Sequence, residues 1–99
     1  MIKQLTSRDF TAHLNTNFNI HYGGEAPLPV VLIEVKELGG VLPGSTQPPF
    51  SLVFESHGAD QYLIQKIYLL EHPVLGAVEM FIVPLGPQGD RMIYEIIVS

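Results

Sequence analysis

The side chains in this chain best suited to chemistry near neutral pH are four histidines, His13, His21, His57 and His72. No two have the spacing of a metal-binding pair, and neither an HExxH nor an HxH motif nor a cysteine partner accompanies them. Asp9 and His13 stand four residues apart. On a helix that spacing gives an ion pair, or two ligands of a site that would still need two more. His57 and His72 fall at strand ends beside turns, where a solvated imidazole is the ordinary reading. Ser45 and Thr46, in "PGSTQ", are candidate nucleophiles by type alone, because no G-x-S-x-G elbow surrounds them. Glu34, Glu55, Glu71, Glu79 and Glu95 each take a polar strand position, and their simplest role is to solvate that face. The glycine-rich turns lack a phosphate-loop lysine and a following helix, so nucleotide binding has no footing. The residues point away from an enzyme and toward no metal and no cofactor.

Bulk composition narrows the partners. Ten acidic residues oppose five basic ones, for a net charge of −5. The cations Lys3, Arg8, Lys36, Lys66 and Arg91 are scattered, which argues against nucleic acid and against anionic lipid. Charged residues make up 15% of the chain, against about 25% in ordinary soluble domains. Hydrophobic residues stand at an unremarkable 46%, so the shortage falls on the solvated surface. Some apolar surface is therefore expected to be covered by another chain. The absence of cysteine excludes disulfides, thiolate metal sites and a Cys nucleophile. "MIKQLTSRDF" lacks the apolar core of a secretory signal, and no apolar run approaches the ~18 residues of a membrane helix. The default expectation is a cytoplasmic protein, with incorporation into an extracellular assembly by another route left open.

The elements that must position these residues divide at Phe18. Before it, "TSRDFTAHLN" places Phe10 and Leu14 at i,i+4, with Thr6 or Ser7 as N-cap and Asp9 in the first turn. This predicts one short helix, which must lie on something to be stable. After it the period is two. "FNIHY", "VVLIEVKEL", "FSLVFES", "LIQKIYLLEH", "AVEMFIVPL" and "MIYEIIVS" read as six strands rich in β-branched and aromatic residues. Short Gly- and Pro-bearing connections favour antiparallel neighbours, and the loop 39–49 is longer than a turn requires. Within "EHPVLGAVEMFIVPLG", Pro73 starts a hairpin turn, Gly76 supplies a positive φ, and Pro84 is expected to end the strand at an edge. The fold predicted for the single domain 1–99 is mainly β: a small antiparallel six-stranded barrel, or alternatively a two-layer sandwich, with one short N-terminal helix. Phe18, Phe50, Phe54, Tyr68, Phe81 and Tyr94 are the bulk expected to fill the interior.

Several strands are apolar on both faces. In the second strand Val31, Ile33 and Val35 are assigned inward, which leaves Leu32 on the other side. Val53 stands opposite the inward Phe50, Leu52 and Phe54. In "AVEMFIV" the set Ala77, Phe81 and Val83 faces one way and Val78, Met80 and Ile82 the other. The second-face residues Leu32, Val53, Val78, Met80 and Ile82 are the candidate interface. A sheet covered on both sides explains the pattern.

Three stretches, "FSLVFES", "YLIQKIYLLEHPVLGAVEMFIVPLG" and "IYEIIVS", together with "FTAHLNTNFNI", resemble a small bacterial domain family known only as a domain of unknown function. Its pattern is a Phe-Ser-Leu-x-Phe strand, a His-Pro-x-Leu-Gly turn, a Phe-Leu-Val-Pro strand end and a final Tyr-Glu strand. Here the third element reads Phe-Ile-Val-Pro at 81–84. The resemblance implies a compact β domain and carries over no catalytic residue. It also implies an accessory or structural role beside phage-tail-like fibre proteins. The expected function is a non-catalytic interaction or assembly module that self-associates or docks on another protein of a larger assembly. The alternative is a small-ligand or carbohydrate-binding barrel that uses the loop 39–49.

Overall fold

The change of period at Phe18 is where a short helix gives way to sheet. The computed structural model describes residues 5–24, 26–40, 43–44, 48–57 and 63–98. Its elements are α1 (Ser7–Thr11), β1 (Asn17–His21), β2 (Leu28–Glu37), β3 (Phe50–His57), β4 (Lys66–His72), β5 (Gly76–Gln88) and β6 (Arg91–Val98). The six strands close into a barrel in the order β1-β2-β3-β6-β5-β4, every neighbouring pair antiparallel. The predicted barrel forms, and the sandwich does not. Among the described residues no helix is long and apolar enough to cross a membrane.

Thr6 is the N-cap of α1. Its hydroxyl accepts from the Asp9 N–H, and the Asp9 carboxylate accepts from the Thr6 N–H at 2.8 Å, a reciprocal capping box. Five residues cannot hold a helix alone. Phe10 holds it, buried against Phe18 and Phe50 at ring-centroid distances of 6.2 and 5.9 Å. Full burial of such a ring stabilises by about 1.5–3 kcal/mol. Beyond α1, the Asn15 N–H donates to the Leu32 carbonyl and the Leu32 N–H to the Thr16 carbonyl, so the turn joins the edge of β2.

Two irregularities decide which side chains enter the barrel. In β2 the register with β3 shifts between Leu32 and Glu34. Val30 and Leu32 point in before the bulge and Val35 after it, while Ile33 is exposed. The expected inward set Val31, Ile33 and Val35 is therefore corrected at its first two members. A bulge inserts one residue and flips everything beyond it, which strict alternation does not register. In β5 the shift lies between Pro84 and Gly86. The strand does not end at Pro84 but runs on to Gln88, because a bulge tolerates the missing N–H as an edge would. This long strand pairs with β4 through its first half and with β6 through its second.

The core comprises Phe10, Phe18, Ile20, Val30, Leu32, Phe50, Leu52, Phe54, Leu63, Tyr68, Leu70, Ile82, Tyr94 and Ile96. Phe81, expected inside, is half-exposed on the outer face, and Phe10 takes up the aromatic bulk that Phe81 does not supply. The space lined by Phe10, Phe18, Leu70, His72, Leu75 and Val78 leaves no room for a water molecule.

Candidate functional site

The outer surface of β4, β5 and β6 carries several of the apolar side chains that the barrel does not use, while Ile33, Leu38, Ile64 and Val74 are exposed elsewhere. Tyr68 and Leu70 point inward, so their directly paired partners Met80 and Val78 do as well. The intervening residues must then face out. Ile67 and Phe81 form a direct cross-strand pair on that face, with 58% and 48% of their surfaces exposed. Leu69 and Val83 extend the strip along β4 and β5, and Ile97, 51% exposed, lies on β6 two residues beyond Glu95, the partner of Val83. A contiguous apolar strip on a small domain is costly to leave in water, and patches of this kind mark contact sites.

Carboxylates border the strip. Glu79 pairs with Leu69 across β4–β5, and Glu95 stands between Val83 on β5 and Val53 on β3. Among the described residues neither has a cation within ion-pair distance. Two other outward carboxylates are engaged. Glu71 meets His21 Nε2 at 2.7 Å, and Glu55 meets Arg91 Nη1 at 3.1 Å and His57 Nε2 at 3.7 Å.

The candidate interface drawn from the sequence needs correction. Leu32 and Ile82 are 0% exposed and belong to the core, and Val78 and Met80 are half-buried inward neighbours of it. Of that set only Val53 lies on the outer face, half-buried beside Glu34 and Glu95. Alternation separated the two faces of β5 correctly but did not say which was inside. Register with Tyr68 and Leu70 settles it. The exposed apolar side chains of β5 lie on the opposite face from Val78, Met80 and Ile82.

His72 is the second departure. Expected in solvent, it is 5% exposed. It shares parity with Tyr68 and Leu70 on β4, and that spacing was the signal available in the sequence. Its ring lies 4.5 Å from that of Phe18 and 4.4 Å from that of His13, centroid to centroid. Burial, reinforced by the charge His13 can carry, pushes the His72 pKa below the usual imidazole range. Asp9, paired with His13 in the sequence reading, spends its carboxylate on the Thr6 cap. No group of three or more His, Asp or Glu side chains placed to hold a metal occurs among the described residues. Ser45 and Thr46, with much of the loop 39–49, lie outside those residues.

No curated protein and no solved structure matches the chain. A family model described as a domain of unknown function (DUF6916) does match, over residues 5–98, and the chain belongs to that family.

Proposed function

We propose that this protein is a non-catalytic interaction module that docks on another protein through the outer face of β4, β5 and β6. The observation that carries the reading is the contiguous strip Ile67, Leu69, Phe81, Val83 and Ile97, set outside a barrel whose interior is already filled by other side chains. Burying such side chains is worth about 25 cal/mol per Å² of apolar surface, an energy that only a covering surface can recover. The free carboxylates Glu79 and Glu95 at the margin favour a partner that is apolar at its centre and bears Lys or Arg at its rim. A rim of that sign speeds encounter and rejects anionic surfaces, while the apolar centre supplies affinity.

A photoreactive phenylalanine analogue at position 81 in the native host tests this. The expected result is a discrete protein adduct that is absent when the probe sits at the exposed Thr11 and is lost with Ile67→Glu. Light-scattering chromatography at micromolar concentration then distinguishes a second copy of the chain from a different protein. A monomeric protein giving no adduct at 81 beyond that at 11 would overturn the reading.

A further inference from the structure

His72 closes a hydrogen-bonded chain between two turns that are distant in sequence. The N–H groups of Val74 and Leu75 both donate to its Nδ1, at 3.0 and 3.3 Å. Its Nε2 lies 3.2 Å from Thr16 Oγ1, and that hydroxyl donates to the His13 carbonyl at 2.6 Å. Thr16 has one proton and gives it to His13, so its oxygen accepts from His72. The imidazole is thereby held neutral, with its proton on Nε2 and its lone pair on Nδ1 aimed at the β4–β5 turn.

We infer that His72 is a proton-operated latch: protonation of Nδ1 replaces the acceptor of two backbone N–H groups with a third donor and opens the turn 73–75 away from the turn 12–16. A lone pair shared by two donors has no substitute within the ring, so the imidazolium cannot remain where the imidazole sits. The surrounding charges do not offset this. His13, from the turn after α1, adds a like charge when it protonates and lies in ring contact. Arg8 and Asp9 of α1 line the surface groove that His13 shares with Val74 and Leu75, and Asp9 is engaged at the Thr6 cap. From β1 the contact is the Phe18 ring, and on β4 the adjacent Glu71 binds His21 on the outer face. The latch operates whether or not the outer face docks a partner.

Amide hydrogen exchange by NMR between pH 8 and pH 5 tests it, with rates corrected for intrinsic exchange. Protection of Val74 and Leu75 is expected to fall about tenfold for each pH unit below the ordinary imidazole value of about 6.5, which His72 regains once the turn is open, while amides in the β3–β6 ladder keep theirs. The ring nitrogen spectrum at neutral pH should show Nδ1 bare and Nε2 protonated. His72→Asn retains a side-chain acceptor for the same two N–H groups without titrating, and it should abolish the step. Two results on the wild-type protein overturn the inference regardless of how that variant folds. One is protection at Val74 and Leu75 that persists until the β3–β6 amides also exchange; the other is a proton on Nδ1 at neutral pH.

Discussion

The Leu63 N–H donates to the Tyr94 hydroxyl at 2.9 Å, so a residue just before β4 is fastened to the middle of β6, its non-neighbour in the barrel. A second phenol works beside it: the Tyr68 hydroxyl donates to the Ile64 carbonyl at 2.7 Å. The two rings pin the approach to β4 against the barrel end. Their contributions differ because Leu63 is buried and Ile64 is exposed. Tyr94→Phe strands a buried N–H and should cost about 1–3 kcal/mol. Tyr68→Phe frees a carbonyl that water can reach and should cost about 0.5–1.5 kcal/mol. Urea denaturation of the two variants should rank them in that order; equal losses would mean that the Leu63 bond is not formed.

The same two tyrosines set an alkaline limit. Burial raises both phenol pKa values above the ordinary value, and for Tyr94 the Leu63 N–H opposes that rise in part. The folded chain thus holds protons that the unfolded chain releases at about pH 10. Stability contributed by these groups is fully present below that pH and is lost as pH rises through the folded-state values. Ultraviolet titration should show part of the tyrosinate signal appearing only with loss of near-ultraviolet circular dichroism. Reversible ionisation of all four tyrosines in the folded protein would contradict this burial.

Adjacent residues of β5 give a direct test of which face is inside. Ile82 is fully buried and Phe81 is half-exposed. Ile82→Ala should cost about 2–5 kcal/mol by cavity formation, and Phe81→Ala should stay within about 1 kcal/mol, as surface changes do. Thermal melts suffice, since 1 kcal/mol moves the midpoint of a domain this size by about 4–8 °C. The reverse order would restore the interface first read from alternation.

These faces mark the boundary of what the sequence discloses. The six strands, the short helix with its cap at Thr6 or Ser7 and the hairpin at Pro73–Gly76 were legible, because each depends on local spacing and residue type, while the barrel was the favoured of two sheet arrangements. Inside and outside on β2 and β5 were not legible. Leu32 and Ile33, like Phe81 and Ile82, are all apolar, and only the bulge and the cross-strand register distinguish them. His72 was misplaced for a related reason: a strand-end histidine is usually wet. The contacts that bury this one include the distant Phe18 and His13 rings and the Thr16 hydroxyl, beside the local Val74 and Leu75 N–H groups. Composition did convey the shortage of polar surface, and the exposed strip on β4, β5 and β6 is one place where that shortage falls.

Gly76 and Gly40 test the turn chemistry as a matched pair. Gly76 closes the His72 turn with φ of +88°, whereas Gly40 is not in the left-handed region, and a Cβ built on either meets nothing within 4 Å. Crowding therefore cannot separate them, and any difference reports backbone conformation. An L-residue in the left-handed region costs about 1–2 kcal/mol, partly offset by the ~0.4–1 kcal/mol that alanine removes from the entropy of the unfolded chain. Gly76→Ala should thus destabilise by up to about 1.5 kcal/mol, while Gly40→Ala should be neutral or stabilise by up to about 1 kcal/mol. Gly76→Asn should recover part of the loss, since asparagine tolerates positive φ better than alanine does. Denaturation midpoints of the three variants check the ranking. If Gly76→Ala proved as harmless as Gly40→Ala, the positive φ at the hairpin would be wrong, and with it the geometry that presents the Val74 and Leu75 N–H groups to His72.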